Sequence, residues 1–218
     1  MIGSENTAIG LNAPTSNDGD FNTAVGFDAL ASNTTGPSNT ATGNVALYSN
    51  QTGKNNTATG DSALYFNQTG NRNVATGLDA LDNNISGGHN VGVGNSTLDG
   101  STTGEYNTAL GYSAGWNLTT GDNNIIINNV GVATESNTIR IGSQVAGVAA
   151  DGSMQAAHTA TYIAGITRTS ISRGATVFVD SNGRLGLRSS SERFKDEVKP
   201  MDKASEAILS LKPVTFRY

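Results

Sequence analysis

The pentapeptide Asn-Thr-Ala-x-Gly recurs along this chain at a nearly fixed interval. A period this short points to a solenoid in which each repeat is one coil. Asn6, Asn22, Asn39, Asn56, Asn73, Asn90 and Asn107 each open a copy, and Asn124 opens a degenerate one; 16 residues separate the first two and 17 every later pair. Other columns keep the same step. Ala lies two residues after the Asn at Ala8, Ala24, Ala41, Ala58, Ala75 and Ala109, with Gly92 in the sixth copy. Gly lies four after, from Gly10 to Gly111, and fourteen after, from Gly36 to Gly121. Ala-Leu lies seven and eight after, at Ala29-Leu30, Ala46-Leu47, Ala63-Leu64 and Ala80-Leu81.

A coil needs turns, and Gly and Asn adopt positive φ at little cost, so both are expected at the turns. Two short extended segments are expected between them, Thr-Ala-x and x-Ala-Leu. Alternate residues of a strand face opposite sides, which sends the recurring Ala into the coil. Its neighbours Thr7 and Ile9, Thr23 and Val25, Thr108 and Leu110, and Ile125 and Ile127 then point outward. Only 36% of the chain is hydrophobic and 6% aromatic. That is thin for a globular core but adequate for narrow coils closed by Ala, Val, Thr and Gly. Eight coils at roughly 4.8 Å each would rise on the order of 40 Å. The outward Ile, Val, Leu and Thr form a one-sided strip, and such strips mark interfaces that cyclic association can cover.

Several function classes fit poorly. The net charge is −5 with 14% charged residues, and most Lys and Arg fall after Arg140, so no basic stripe for nucleic acid is expected. There is no cysteine and no apolar run of transmembrane length, so neither disulfides nor membrane insertion is expected. Met1-Ile2-Gly3-Ser4-Glu5 runs straight into a repeat and Tyr218 ends abruptly, which favours a piece of a longer chain. Asn33, Asn50, Asn67, Asn84, Asn95 and Asn117 sit in Asn-x-Ser/Thr sequons, but most recur at the repeat period and read as structural. Asp18-Gly19-Asp20 lacks the ligand spacing of a calcium loop. His89 and His158 have no clustered carboxylates beside them, so no metal, no cofactor and no Ser-His-Asp hydrolase is expected.

After Asn124 the period breaks, with the next copy at Asn137-Thr138-Ile139-Arg140-Ile141-Gly142 closing the solenoid. A Gly/Ala-rich stretch from Ser143 to Ala157 reads as linker, and Thr159 to Ile166 as β-prone. Thr176 to Asp180 and Arg184 to Leu187 flank Ser181-Asn182-Gly183, a hairpin signal. Residues from Met201 to Leu211 read as a helix, with Asp202 as N-cap, Ala204, Ile208 and Leu211 on one face, and Pro213 as terminator.

The Asn-Thr-Ala-Ile-Gly run resembles the head repeats of trimeric autotransporter adhesins, over roughly the first 140 residues. That likeness implies parallel β-rolls wound side by side as trimers. The block Ser190-Ser191-Glu192-Arg193-Phe194-Lys195, the helix after it, and Leu211-Lys212-Pro213-Val214-Thr215-Phe216-Arg217-Tyr218 resemble the start of the C-terminal intramolecular chaperone domain of phage tail fibres and endosialidases. In that family the chaperone assembles a trimeric fibre and then cuts itself off with a serine and a lysine five residues later. The resemblance therefore implies Ser190 as nucleophile, Lys195 as general base, Arg193 in support and cleavage between Ser189 and Ser190. A lysine can serve as base when burial and neighbours lower its pKa. The family usually has Asp after the serine, where this chain has Ser191.

The expected fold class is all-β: a parallel β-roll or β-solenoid of 17-residue coils over 1–142, a β-rich neck over 143–187, and the N-terminal part of a chaperone domain over 188–218 with a short helical segment. The expected function is a homotrimeric tail-fibre protein that attaches to a cell-surface receptor, polysaccharide among the possibilities, on a virion or at the cell exterior. The rivals are an autotransporter-type surface adhesin, an ice-binding solenoid built on Thr40-Ala41-Thr42, Thr57-Ala58-Thr59 and Val74-Ala75-Thr76, and a polysaccharide-cleaving enzyme. Against the enzyme, no carboxylate pair in the repeats stands out as suggestive. Tyr48, Tyr65, Phe66, Tyr112 and Trp116 could offer stacking surfaces to a sugar, or cover coil ends.

Overall fold

Each repeat contributes one three-residue strand, and the strands stack in chain order into a single parallel sheet. In the computed structural model, which describes residues 3–13, 18–143, 146–160, 177–179, 181 and 185–187, β1 (Thr7–Ile9), β2 (Thr23–Val25), β3 (Thr40–Thr42), β4 (Thr57–Thr59), β5 (Val74–Thr76), β6 (Val91–Val93), β7 (Thr108–Leu110), β8 (Ile125–Ile127) and β9 (Ile139–Ile141) form a 9-stranded sheet ordered β1 to β9. The register is columnar: Ala24 lies beside Ala41, Ala41 beside Ala58 and Ala58 beside Ala75. The described residues are all-β and contain no helix; the expected helix from Met201 to Leu211 lies outside them. The chain divides into two compact units, Met1–Thr161 and Tyr162–Tyr218.

The alternation works as expected from the pleat. In β3, β4, β5 and β7 the middle residue is buried and both neighbours are exposed. The buried Ala column faces the Ala-Leu column, with Leu30, Leu47, Leu64, Leu81 and Leu98 at 0% exposure. The Ala-Leu run is not a second extended segment. Leu30, Leu47, Leu64, Leu81 and Leu98 all have φ between 51° and 57°, and the residues two before them, such as Asp28, Ser62 and Asp79, are left-handed as well. A bulky residue held there costs on the order of 1 kcal/mol, a cost opposed by burying the whole leucine side chain, worth roughly 1.5–3 kcal/mol.

The repeating Asn also behaves differently from expectation. It is not the positive-φ residue of the turn; the residue before it is, as at Ser38, Asn55, Arg72, His89, Tyr106 and Asn123. The Asn is buried, at 0% exposure for Asn39, Asn73, Asn90, Asn107 and Asn124. Its Oδ1 accepts the backbone N–H of the Asn one coil on, at 2.9 Å for Asn39 to Asn22, 3.0 Å for Asn56 to Asn39 and 3.0 Å for Asn73 to Asn56. Its Nδ2 donates to the second-column glycine of its own coil, at 2.8 Å for Asn39 to Gly53 and for Asn56 to Gly70. A second ladder runs through the sequon asparagines. Asn50 Nδ2 donates to Asn33 Oδ1 (2.6 Å), Asn67 to Asn50 (2.7 Å) and Asn84 to Asn67 (2.8 Å). Burial in this ladder is why those four asparagines have a structural role. Ser101 is too short to continue it, and Asn84 Oδ1 and Ser101 Oγ are left without a partner.

The last coil is shorter, and its register differs by one residue from the expected Asn137. Ile139 pairs with Ile125, so Thr138 takes the Asn position: its N–H donates to Asn124 Oδ1 at 3.0 Å. Asn137, with φ 56°, occupies the left-handed position before it. Arg140 then stands in the buried Ala column and pairs with Glu135 at 2.7 Å. Glu135 in turn accepts from Asn124 Nδ2 through its backbone oxygen at 2.8 Å. This ion pair closes the core above the fully buried Ile126.

The stretch expected as linker folds back. β10 (Gly147–Val148) and β11 (Met154–Gln155) pair antiparallel. Ala150 N–H donates to Ser113 Oγ at 3.1 Å, and Gln155 Nε2 to the Tyr112 oxygen at 2.7 Å, docking the hairpin on the seventh coil. In the second unit, β12 (Val177–Val179) and β13 (Leu185–Leu187) form the antiparallel hairpin that Asn182-Gly183 signals, with Val177 opposite Leu187.

Candidate functional surfaces

Two surfaces stand out on the solenoid: the outer face of the sheet and a patch on the turn that follows the strands. The outer face is two columns wide, and the period puts like residues in line. One column reads Thr40, Thr57, Val74, Val91, Thr108, Ile125 and Ile139, and the other Thr42, Thr59, Thr76, Val93, Leu110, Ile127 and Ile141. Apolar members are well exposed: Ile9 at 60%, Leu110 at 49%, Ile139 at 69% and Ile141 at 68%. The face is therefore apolar toward both ends and threonine-rich over β3 and β4.

The second surface arises because residues 17 apart stack. Tyr48, Tyr65, Asp82, Asp99 and Trp116 occupy one column. The Tyr48 and Tyr65 rings stack at 5.1 Å and 6°. Above them two carboxyls sit one coil apart. Burial, together with the nearby Asp99 and Asp79 charges, pushes Asp82 up to about 7. Burial also raises Asp99, partly offset by hydrogen bonds from Asn83 and Trp116. Beside this pair, Gly100 stands where neighbouring coils carry Phe66, Asn83 and Asn117. A groove of about 310 Å³ lies here, lined by Phe66, Gln68, Asn83, Ile85, Gly100 and Thr102. Reading down the column at the repeat period finds the carboxyl pair, which a linear scan for neighbouring acids misses. A glycosidase keeps one carboxyl ionised beside one kept protonated. Here burial pushes both the same way, which does not produce that division of roles.

The raised Asp82 carries a stability prediction. An unfolded aspartate titrates near 3.9, so between about pH 4 and pH 7 the folded chain holds the proton more tightly. Stability then falls as pH rises through that window. Asp82→Asn should unfold together with wild type at pH 4 and be more stable at pH 8, by about 1–2 kcal/mol after discounting for a half-buried group. Thermal melts at the two pH values check this.

The expected catalytic residues Ser190 and Lys195, with Arg193 and the Ser189–Ser190 bond, lie outside the described residues. Among the described residues no group of three or more His, Cys, Asp or Glu could hold a metal ion. His89 stacks on Tyr106 at 4.5 Å, and His158 takes part in bonds to Ser143 N–H (3.0 Å) and Asn128 (3.3 Å), far apart along the chain. No described helix is long and apolar enough to cross a membrane. Of the expected aromatics, Phe66 and Tyr112 are exposed, whereas Tyr48, Tyr65 and Trp116 are half-buried in their column. Comparison of the chain with protein-family models, curated proteins and solved structures finds no match.

Proposed function

We propose that this chain belongs to a homotrimeric fibre, a phage tail fibre or a related injection-system fibre, that displays a rigid β-solenoid and attaches to a cell surface. The observation that carries this reading is the outer sheet face. The coil buries its asparagine and leucine columns internally, yet leaves exposed Ile, Val and Leu toward both ends of one sheet face, the kind of surface that association covers. The C-terminal motif adds the assembly device. Ser190 Oγ attacks the carbonyl of Ser189 after Lys195 takes its proton; the Ser189–Ser190 C–N bond breaks as its nitrogen takes a proton, and water then hydrolyses the ester that still joins the two parts, so the chaperone separates from the fibre once the trimer has formed. Three thin β-rods find a common register slowly, and removing the clamp leaves the assembled product kinetically trapped.

The test is intact-mass analysis of the full gene product beside a Ser190→Ala variant, with light scattering on both. The proposal expects a wild-type fragment that starts at Ser190, an intact variant and a trimeric mass for each. An uncut, monomeric wild type would overturn it. One observation favours a second reading: Thr40, Thr42, Thr57 and Thr59 are all exposed on one flat face, as ice binding requires. Thermal hysteresis in the purified chain would establish that reading; Ile9, Leu110 and Ile125 interrupt the threonine plane elsewhere.

A further inference from the structure

Around β4, β5 and β6 the solenoid's charges are sorted by edge. Each strand runs from the turn that precedes it to the turn that follows it, so the two turns lie on opposite edges of the sheet. Over three successive levels the preceding turns carry bases: Lys54 before β4, Arg72 before β5 and His89 before β6. At the same levels the following turns carry acids: Asp61 after β4, Asp79 and Asp82 after β5, and Asp99 after β6. Lys54, Arg72 and Asp61 are exposed, and the others are half-buried. These charges do not neutralise each other within the chain; among the described residues the ion pair is the distant Arg140–Glu135. The charges that reach Asp82 are those of other aspartates.

We propose that these two edges are the halves of one interface between copies of this chain, lying side by side, parallel and coil-for-coil in register. The inference rests on the homotrimer reading above and specifies how its rods meet. Closed rotational symmetry about an axis parallel to the solenoid keeps every coil at the height of its counterpart. It also sets the following turn of one copy against the preceding turn of the next. Lys54 then faces Asp61, Arg72 faces Asp79 and Asp82, and His89 faces Asp99. An antiparallel neighbour would oppose acid to acid. A neighbour slipped along the rod would pair the block with Glu105 and Asp122, which occupy the preceding turns of β7 and β8. The charges thus select orientation and register as well as attraction.

The test measures association of the full chain by sedimentation at low salt. Lys54→Glu/Arg72→Glu and Asp61→Lys/Asp82→Lys each place like charges across the Lys54–Asp61 and Arg72–Asp82 contacts. Each is expected to raise the dissociation constant by at least about tenfold, while the chain with all four reversals returns to within about threefold of wild type. Far-UV circular dichroism follows the fold of each variant. Because the chain has no cysteine, an Arg72→Cys/Asp82→Cys chain supplies an independent measurement: it should oxidise into covalently closed oligomers, and neither single-cysteine chain should. An oligomeric wild type whose association neither pair of reversals changes, and whose double-cysteine chain stays unlinked, overturns the edge pairing and leaves the trimer reading intact. A wild type that is monomeric at every concentration overturns both.

Discussion

Replacing Asn56 with alanine is expected to destabilise the solenoid by about 3–5 kcal/mol, read as a loss in unfolding free energy from urea or thermal denaturation. The side chain is 1% exposed and holds three coils together. Its Oδ1 accepts the Asn73 N–H at 3.0 Å, and its Nδ2 donates to Gly70 O at 2.8 Å and to Asn39 Oδ1 at 3.1 Å. Alanine leaves the Asn73 N–H inside the coil with no water to replace the lost bond, and leaves the Gly70 carbonyl only its longer bond from Asn67 Nδ2 at 3.2 Å. The cost is therefore desolvation of those groups and not the small net value of an ordinary hydrogen bond. Asn44→Ala, which removes an exposed bond to Asp61, is the matched control and should cost under about 1 kcal/mol. Equal losses at the two positions would show that the ladder is incidental to stability.

Gly53→Ala is expected to cost about 3 kcal/mol or more, for a steric reason. This glycine has ordinary φ, so conformational freedom is not the issue. A Cβ there would lie 2.5 Å from Gly70 O and 2.7 Å from Asn67 Nδ2, and closer still to Asn50 Oδ1. None of these atoms can withdraw cheaply, because both asparagine ladders and the glycine carbonyl are fixed by hydrogen bonds to the coils on either side. In a stacked repeat each coil touches only its neighbours, so damage at the third coil uncouples the coils before it from those after it. The unfolding transition should broaden or split as well as move to lower denaturant; a simple parallel shift would argue against this coupling.

Much of the fold is legible because a linear period becomes a spatial column. Residues 17 apart lie one above the other, so Ala41, Ala58 and Ala75 had to share one environment. The pleat then decided that Thr40 and Thr42 face the opposite way. The hairpin of β12 and β13 was equally local, since Asn-Gly between two short apolar runs leaves few alternatives. The candidate surfaces were less legible. Asp82 and Asp99 are unremarkable in the linear chain and form a pair only once the column is drawn. The groove beside them is lined from three successive coils, by Phe66 and Gln68, Asn83 and Ile85, and Gly100 and Thr102.

By itself, the sequence determined the coil length, the stacking order and the inward or outward sense of each strand residue, because these follow from period and alternation alone. Only the tertiary structure decided the backbone of the Ala-Leu turn, the role of the Asn columns and the Thr138 register. Each depends on atoms from different parts of the coil. Leu64 accepts a left-handed backbone because the opposing alanines leave a cavity its side chain fills. Asn56 is irreplaceable because two carbonyl oxygens and one N–H from three coils converge on it. Gly92 departs from the Ala column because Thr97, across the coil, has taken the volume: a Cβ on Gly92 would stand 2.8 Å from Thr97 Oγ1. Period identifies which residues are neighbours, and packing at close range decides what each neighbour must be.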